Sequence, residues 1–186
     1  MIEYCFGSSR MSILLLLLLF TWISTSSSIC IDSFNSLCIN VTRDGNLMHF
    51  DASCSPISGF NHTTWCGFGF SDATTDQMFP ADITAIQYNT SSVFLEDRNA
   101  FAGYSTPPCF QQQISKLVTS SRGEDGILRA SWTRTINAPN PHVNLIGNVT
   151  IIGAASFDTP DAVEQCLDFM QTHTIVQPGV AFTFPA

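Results

Sequence analysis

Two stretches of this chain alternate, residue by residue, between apolar and polar side chains, and that period limits what the chain can fold into. From Leu47 to Cys54, Met48, Phe50 and Ala52 share one face while His49, Asp51 and Ser53 share the other. From Ile127 to Ile136 the pattern returns, with Leu128, Ala130 and Trp132 set against Arg129, Ser131 and Thr133. A period of two is that of a strand, and one apolar face per strand marks antiparallel sheet resting on a core. Asp44-Gly45 and Asp125-Gly126 stand just before these runs as turn signals. Leu145 to Ala155 reads as a longer, more apolar strand, and Asn137-Ala138-Pro139-Asn140-Pro141 as a loop. Helical periodicity is nearly absent from 37 to 156. The expected architecture is all-β: an antiparallel β-sandwich of about eight or nine strands.

One short C-terminal helix is expected after the sandwich. Thr159 can cap it, Pro160 fits its first position, and Ala162, Val163, Cys166, Leu167 and Met170 follow at helical spacing. The tail from Gln177 carries no clear assignment.

The other end reads as a secretory signal peptide. Arg10 precedes six leucines and Phe20, and small residues Ser24 to Ser28 follow, so cleavage is expected after Ser28. The apolar run is shorter than the roughly 20 residues that span a bilayer, and nothing later is long enough either. The expected division is a signal at 1–28, a sandwich domain at 29–160, and a helix and tail at 161–186. About 158 residues would remain after cleavage, one domain by length.

Cys5 leaves with the signal, and Cys30, Cys38, Cys54, Cys66, Cys109 and Cys166 remain. An even count on a secretory route points to three disulfides, with the connectivity open. The absence of any CxxC spacing argues against a zinc ribbon or a redox dithiol. Four sequons, at Asn40, Asn61, Asn89 and Asn148, agree with an extracellular glycoprotein. A formal charge of −8 with seven Lys and Arg excludes nucleic acid as a partner and disfavours anionic membranes.

Trp65-Cys66-Gly67-Phe68-Gly69-Phe70-Ser71, Met78, Ala81-Asp82-Ile83 and Phe94-Leu95-Glu96-Asp97-Arg98 follow one another in order. The Gln111-Gln112-Gln113 strand, the Leu128 to Arg134 strand and Val149-Thr150-Ile151-Ile152-Gly153-Ala154 come after them. In this order the set resembles a DOMON domain, over roughly half of the chain. The resemblance implies an immunoglobulin-like β-sandwich and a binding module rather than an enzyme. It implies haem or sugars as ligand classes and a small-molecule ligand or another secreted protein as partner; members are often fused to an enzyme or a transmembrane cytochrome, and no membrane span is expected in this chain after signal cleavage.

The resemblance also assigns candidate site residues. Met78 stands where haem-binding members supply an axial methionine; the plainer reading is a flexible gap-filler. The family's histidine after the last core strand is missing from Ser156-Phe157-Asp158-Thr159-Pro160. His142 and His173 are the substitutes elsewhere, so b-type haem is not favoured and the cofactor stays open. From the residues themselves, Asp82 opens a strand among apolar neighbours, and a buried carboxylate needs a partner. Arg98 could supply it as an ion pair, or Asp82 and Gln113 could hold a small cation through oxygen ligands. His49 and Asp51 read as a solvated pair, Phe68 and Phe70 as core. No nucleophile-base set emerges from four scattered histidines.

Overall fold

A computed structural model describes residues 26–71, 81–90, 92–100, 109, 112–140, 142–159 and 175–185. They form ten strands: β1 (Ser26–Cys30), β2 (Leu37–Asp44), β3 (Leu47–Cys54), β4 (Thr63–Ser71), β5 (Asp82–Tyr88), β6 (Val93–Asn99), β7 (Lys116–Arg122), β8 (Leu128–Thr135), β9 (Asn148–Phe157) and β10 (Ile175–Thr183). One five-stranded sheet runs β1-β2-β3-β8-β7, the other β10-β9-β4-β5-β6. Every pairing is antiparallel. The two alternating runs found in the sequence are β3 and β8, paired as central neighbours of the first sheet. The signal run, Met78, Cys166, His173 and the expected helix at 161–170 lie outside the described residues.

Three boundaries differ from expectation, each for a local reason. The unassigned tail becomes β10, an edge strand whose register with β9 shifts between Gln177 and Val180, where Pro178-Gly179 interrupts the ladder. β9 starts at Asn148 rather than Leu145: Gly147 turns the chain with φ +68°, and the Leu145 N–H goes to Ile136 O. The strand expected around Gln111–Gln113 begins instead at Lys116, because residues 113–115 are tied to Asp97 by hydrogen bonds described below.

The core lies between the sheets. Phe50 of β3 stacks on Trp132 of β8 with centroids 5.0 Å apart, and Phe70 and Phe184 meet the same ring at 5.7 and 6.3 Å. Phe68 and Phe70 are core residues, as expected. One disulfide, Cys54–Cys66, joins β3 to β4 and so joins the sheets, while Cys30–Cys38 staples β1 to β2. Cys109 is disulfide-bonded too, to a partner outside the described residues. Gly126, in the second predicted turn, has no substitute: its φ is +72°, and a Cβ there would stand 2.0 Å from Asn61 O.

Candidate ligand-binding face

A sandwich sheet normally keeps one face wet, yet the middle of the second sheet is buried on both. All nine residues of β4 are buried, as are six of seven in β5. Cys66, Phe68 and Phe70 of β4 point into the core, so Trp65, Gly67, Gly69 and Ser71 occupy the outer face. Register places Ala154, Gly67, Ala85 and Glu96 in one row across β9, β4, β5 and β6. Ile152, Gly69, Ile83 and Arg98 form the next row, and Ser156, Trp65 and Gln87 the row on the other side. Across β9, β4 and β5 the middle row is a floor of side chains no larger than methyl, bounded by bulkier groups. A Cβ on Gly69 would come within 2.7 Å of Ile152, so the adjoining row is already filled.

The polar groups on this face are unevenly satisfied. Arg98 Nε donates to Glu96 Oε2 at 2.7 Å, with both side chains fully buried. The charged run read in the sequence is therefore an ion pair within one strand. Gln87 differs: it is 0% exposed, and neither its amide nitrogen nor its amide oxygen has a hydrogen-bond partner among the described residues. Leaving such a group unmade costs about 1–3 kcal/mol. The amide sits beside the Trp65 ring position, at the edge of the small-residue floor.

Asp82 does not pair with Arg98. Its partner is Arg134 of β8, which reaches across the core from the opposite sheet to donate through Nη2 to Oδ2. Arg134 Nη2 also donates to Val143 O at 2.8 Å, and the Val143 N–H donates to Asp82 Oδ2 at 3.0 Å. His142 closes the cluster, with Nδ1 3.1 Å from Asp82 Oδ2 and Nε2 3.1 Å from Gln112 O. Neither ring nitrogen can reach a haem iron without giving up one of these contacts. Arg134 was missed in the sequence although its signal was there: it falls in phase with Leu128, Ala130 and Trp132 on the apolar face of β8.

Gln113 stands with Asp97, not with Asp82. Its Oε1 accepts from the Asp97 N–H and its Nε2 donates to Asp97 O at 2.9 Å, so a side-chain amide pairs with the edge of β6 as a strand would. The Asp97 carboxylate accepts the N–H groups of Ile114 and Ser115, both at 2.7 Å. The structure thus does not bring Asp82 and Gln113 together as a cation site. Among the described residues no three His, Cys, Asp or Glu side chains gather as metal ligands.

Of the remaining titratable groups, His49 and Asp51 lie on the outer face of β3. Asp51 is exposed and accepts from Ser131 Oγ, whereas His49 Nε2 is buried with no hydrogen-bond partner among the described residues. His62 faces Asp158 at 3.1 Å. The Asn61 N–H, foremost, and then that of His62 hold the Asp158 carboxyl below the usual aspartate range against some desolvation. Among the described residues no helix is long and apolar enough to cross a membrane.

Comparison with solved structures gives the architecture a context. The chain is similar to the cytochrome domain of cellobiose dehydrogenase from Myriococcum thermophilum, with a TM-score of 0.56 over 86% of this chain and 82% of that one, at 12% identity. It is also similar to the cytochrome b domain of pyranose dehydrogenase from Coprinopsis cinerea, with a TM-score of 0.51 over 86% and 87%, at 11% identity. These neighbours have DOMON-type folds, and the likeness is one of fold. No family model matches the sequence, and no curated protein does either.

Proposed function

We propose that this chain is a secreted, non-enzymatic module of DOMON type that holds a small ligand on the buried outer face of β4, β5 and β9. The observation that carries the reading is Gln87. A primary amide buried without partners, next to a floor of Gly67, Ala85 and Ala154, suits a flat molecule whose polar edge meets the amide. Trp65 offers that molecule an aromatic flank. The ligand classes are those of the resemblance, haem or sugar. The signal-like leader, the disulfides and the four sequons support the secretory route.

The cytochrome neighbours bring haem forward, but the described donors do not fit an axially ligated iron. His49 lies on the other sheet, His62 is engaged by Asp158, and His142 by Asp82 and Gln112. Met78 and His173 fall outside the described residues.

The test is uptake of haemin, read by absorption, alongside a glycan array, for the wild type, Gln87→Met and Ala85→Leu. The reading expects one ligand class to bind the wild type and both variants to lose it. A Soret band that survives Gln87→Met but disappears in Met78→Ala would replace this reading with a b-type electron-transfer domain. Binding of neither class would leave the module as a subunit that docks on another secreted protein.

A further inference from the structure

The outer face of the first sheet is built differently from that of the second. Asn40, Asp51, Ser131 and Thr119 stand in one register row across β2, β3, β8 and β7. They line a groove of about 470 Å³, with Arg129 in the next row. That volume lies within the range of small-molecule sites. Every outward side chain along the central row is polar, and no aromatic ring lines the groove. Such a surface is poor for protein docking, which uses buried aromatic anchors, and poor for capturing a free sugar, which gains most from stacking.

It suits a sugar that is already attached. Asn40 begins the sequon Asn40-Val41-Thr42 and projects from β2 into the groove. The other sequon asparagines use their side chains locally. Asn61 Nδ2 donates to Asp158, Asn89 Oδ1 accepts from Ser92, and Asn148 Oδ1 accepts from Thr183. The Asn40 amide makes no side-chain hydrogen bond among the described residues, so no local contact holds it away from the groove. From β2 to β7 is three strand spacings, about 14 Å, a span that the first few residues of an N-glycan cover. A tethered ligand has a high effective concentration, so modest hydrogen bonds to Asp51, Ser131, Thr119 and Arg129 suffice to seat it.

We infer that Asn40 carries an N-glycan whose inner sugars lie in this groove across β3, β8 and β7, making the glycan part of the folded surface. The inference rests on the secretory reading above, though not on the ligand face of the other sheet. The experiment uses the full chain secreted from eukaryotic cells, with glycopeptide mapping and timed endoglycosidase digestion of native and denatured protein. Expected is an occupied Asn40 whose glycan resists digestion in the native protein, while those at Asn61 and Asn148 are removed. Thr119→Arg, on the exposed edge strand three strands from Asn40, should leave occupancy unchanged. It should speed native release at Asn40 by about tenfold, the equivalent of one or two net hydrogen bonds. Protection that came merely from attachment within a strand would not respond to Thr119→Arg, and that result would overturn the inference. So would an empty Asn40 beside occupied sequons, or release at Asn40 as fast as at Asn148. If none of the four sequons is occupied, the secretory reading falls as well.

Discussion

Arg134 on β8 and Asp82 on β5 form an ion pair that runs through the core from one sheet to the other, with both side chains fully buried. Val143 contributes its carbonyl and N–H and His142 its Nδ1, while Asp82 Oδ1 and Arg134 Nε and Nη1 have no hydrogen-bond partner among the described residues. Removing one partner of such a pair costs about 3–5 kcal/mol because the other is left charged in the interior. Asp82→Ala should therefore lose that much in urea unfolding. Replacing both, as Asp82→Leu with Arg134→Met, should cost markedly less than the sum of the single changes. Additive losses would mean the two charges do not depend on each other.

Gln87 offers the opposite sign. Gln87→Met removes an unpartnered buried amide at similar volume, so the ligand-free protein should gain about 1–3 kcal/mol. The same change should abolish ligand uptake, a trade of function for stability. Thermal melts with and without ligand read both effects. A loss of stability in the free protein would show that the amide is satisfied in solution.

Among the described residues, Cys54–Cys66 is the covalent link between the sheets. The double change Cys54→Ala with Cys66→Ala should lower stability by about 2–4 kcal/mol. Cys30–Cys38 joins an edge strand to its neighbour only, and its removal should be felt less in global unfolding than in local hydrogen exchange of β1.

Acid should weaken the fold in a defined window. For Asp32, burial pushes the carboxyl up, but the Ser36 hydroxyl and the N–H groups of Leu37 and Ser36 together outweigh it and hold it below the ordinary 3.8. A carboxylate with a lowered folded value gives stability that is whole above the unfolded value of about 3.9 and drains away as pH falls through the folded one. Stability measured from pH 6 down to 2 should thus decline below about pH 4, and Asp32→Asn should flatten part of that decline. A profile for Asp32→Asn parallel to the wild type would remove Asp32 as a contributor.

Gly126→Ala combines a left-handed backbone with a collision at Asn61 O, and no flexible side chain is available to yield. It should cost about 1–3 kcal/mol. Gly45→Ala, with open space around its Cβ, should cost less. Equal melting temperatures for the two variants would contradict the collision.

The fold was readable where one physical rule dominated. In β3 and β8, alternation had no competitor, and both strands lie where the sequence put them. The tail was not readable, because Pro178-Gly179 breaks the pattern at the very point where the β10 ladder shifts. The site was harder for a different reason. Asp82 was recognisably a carboxylate in need of a partner, but Arg134 is 52 residues away on the other sheet, and local spacing favoured Arg98 instead. Gln87 carries no sequence mark at all. Its significance arises only in the fold, where it is fully buried and its amide has no hydrogen-bond partner among the described residues.

β10 has a consequence for how the protein is made. Phe182 packs edge-on against Phe184, 5.2 Å between centroids, and Phe184 meets Phe50 and Phe70. Phe50 belongs to β3, an early strand in synthesis, yet one of its aromatic neighbours, Phe184, is supplied some 130 residues later. The hairpins can pair as they appear, but the interior cannot be sealed before residues 182–184 arrive. A nascent chain of this design must hold an open apolar core for most of its synthesis, exposed to aggregation and to folding helpers alike.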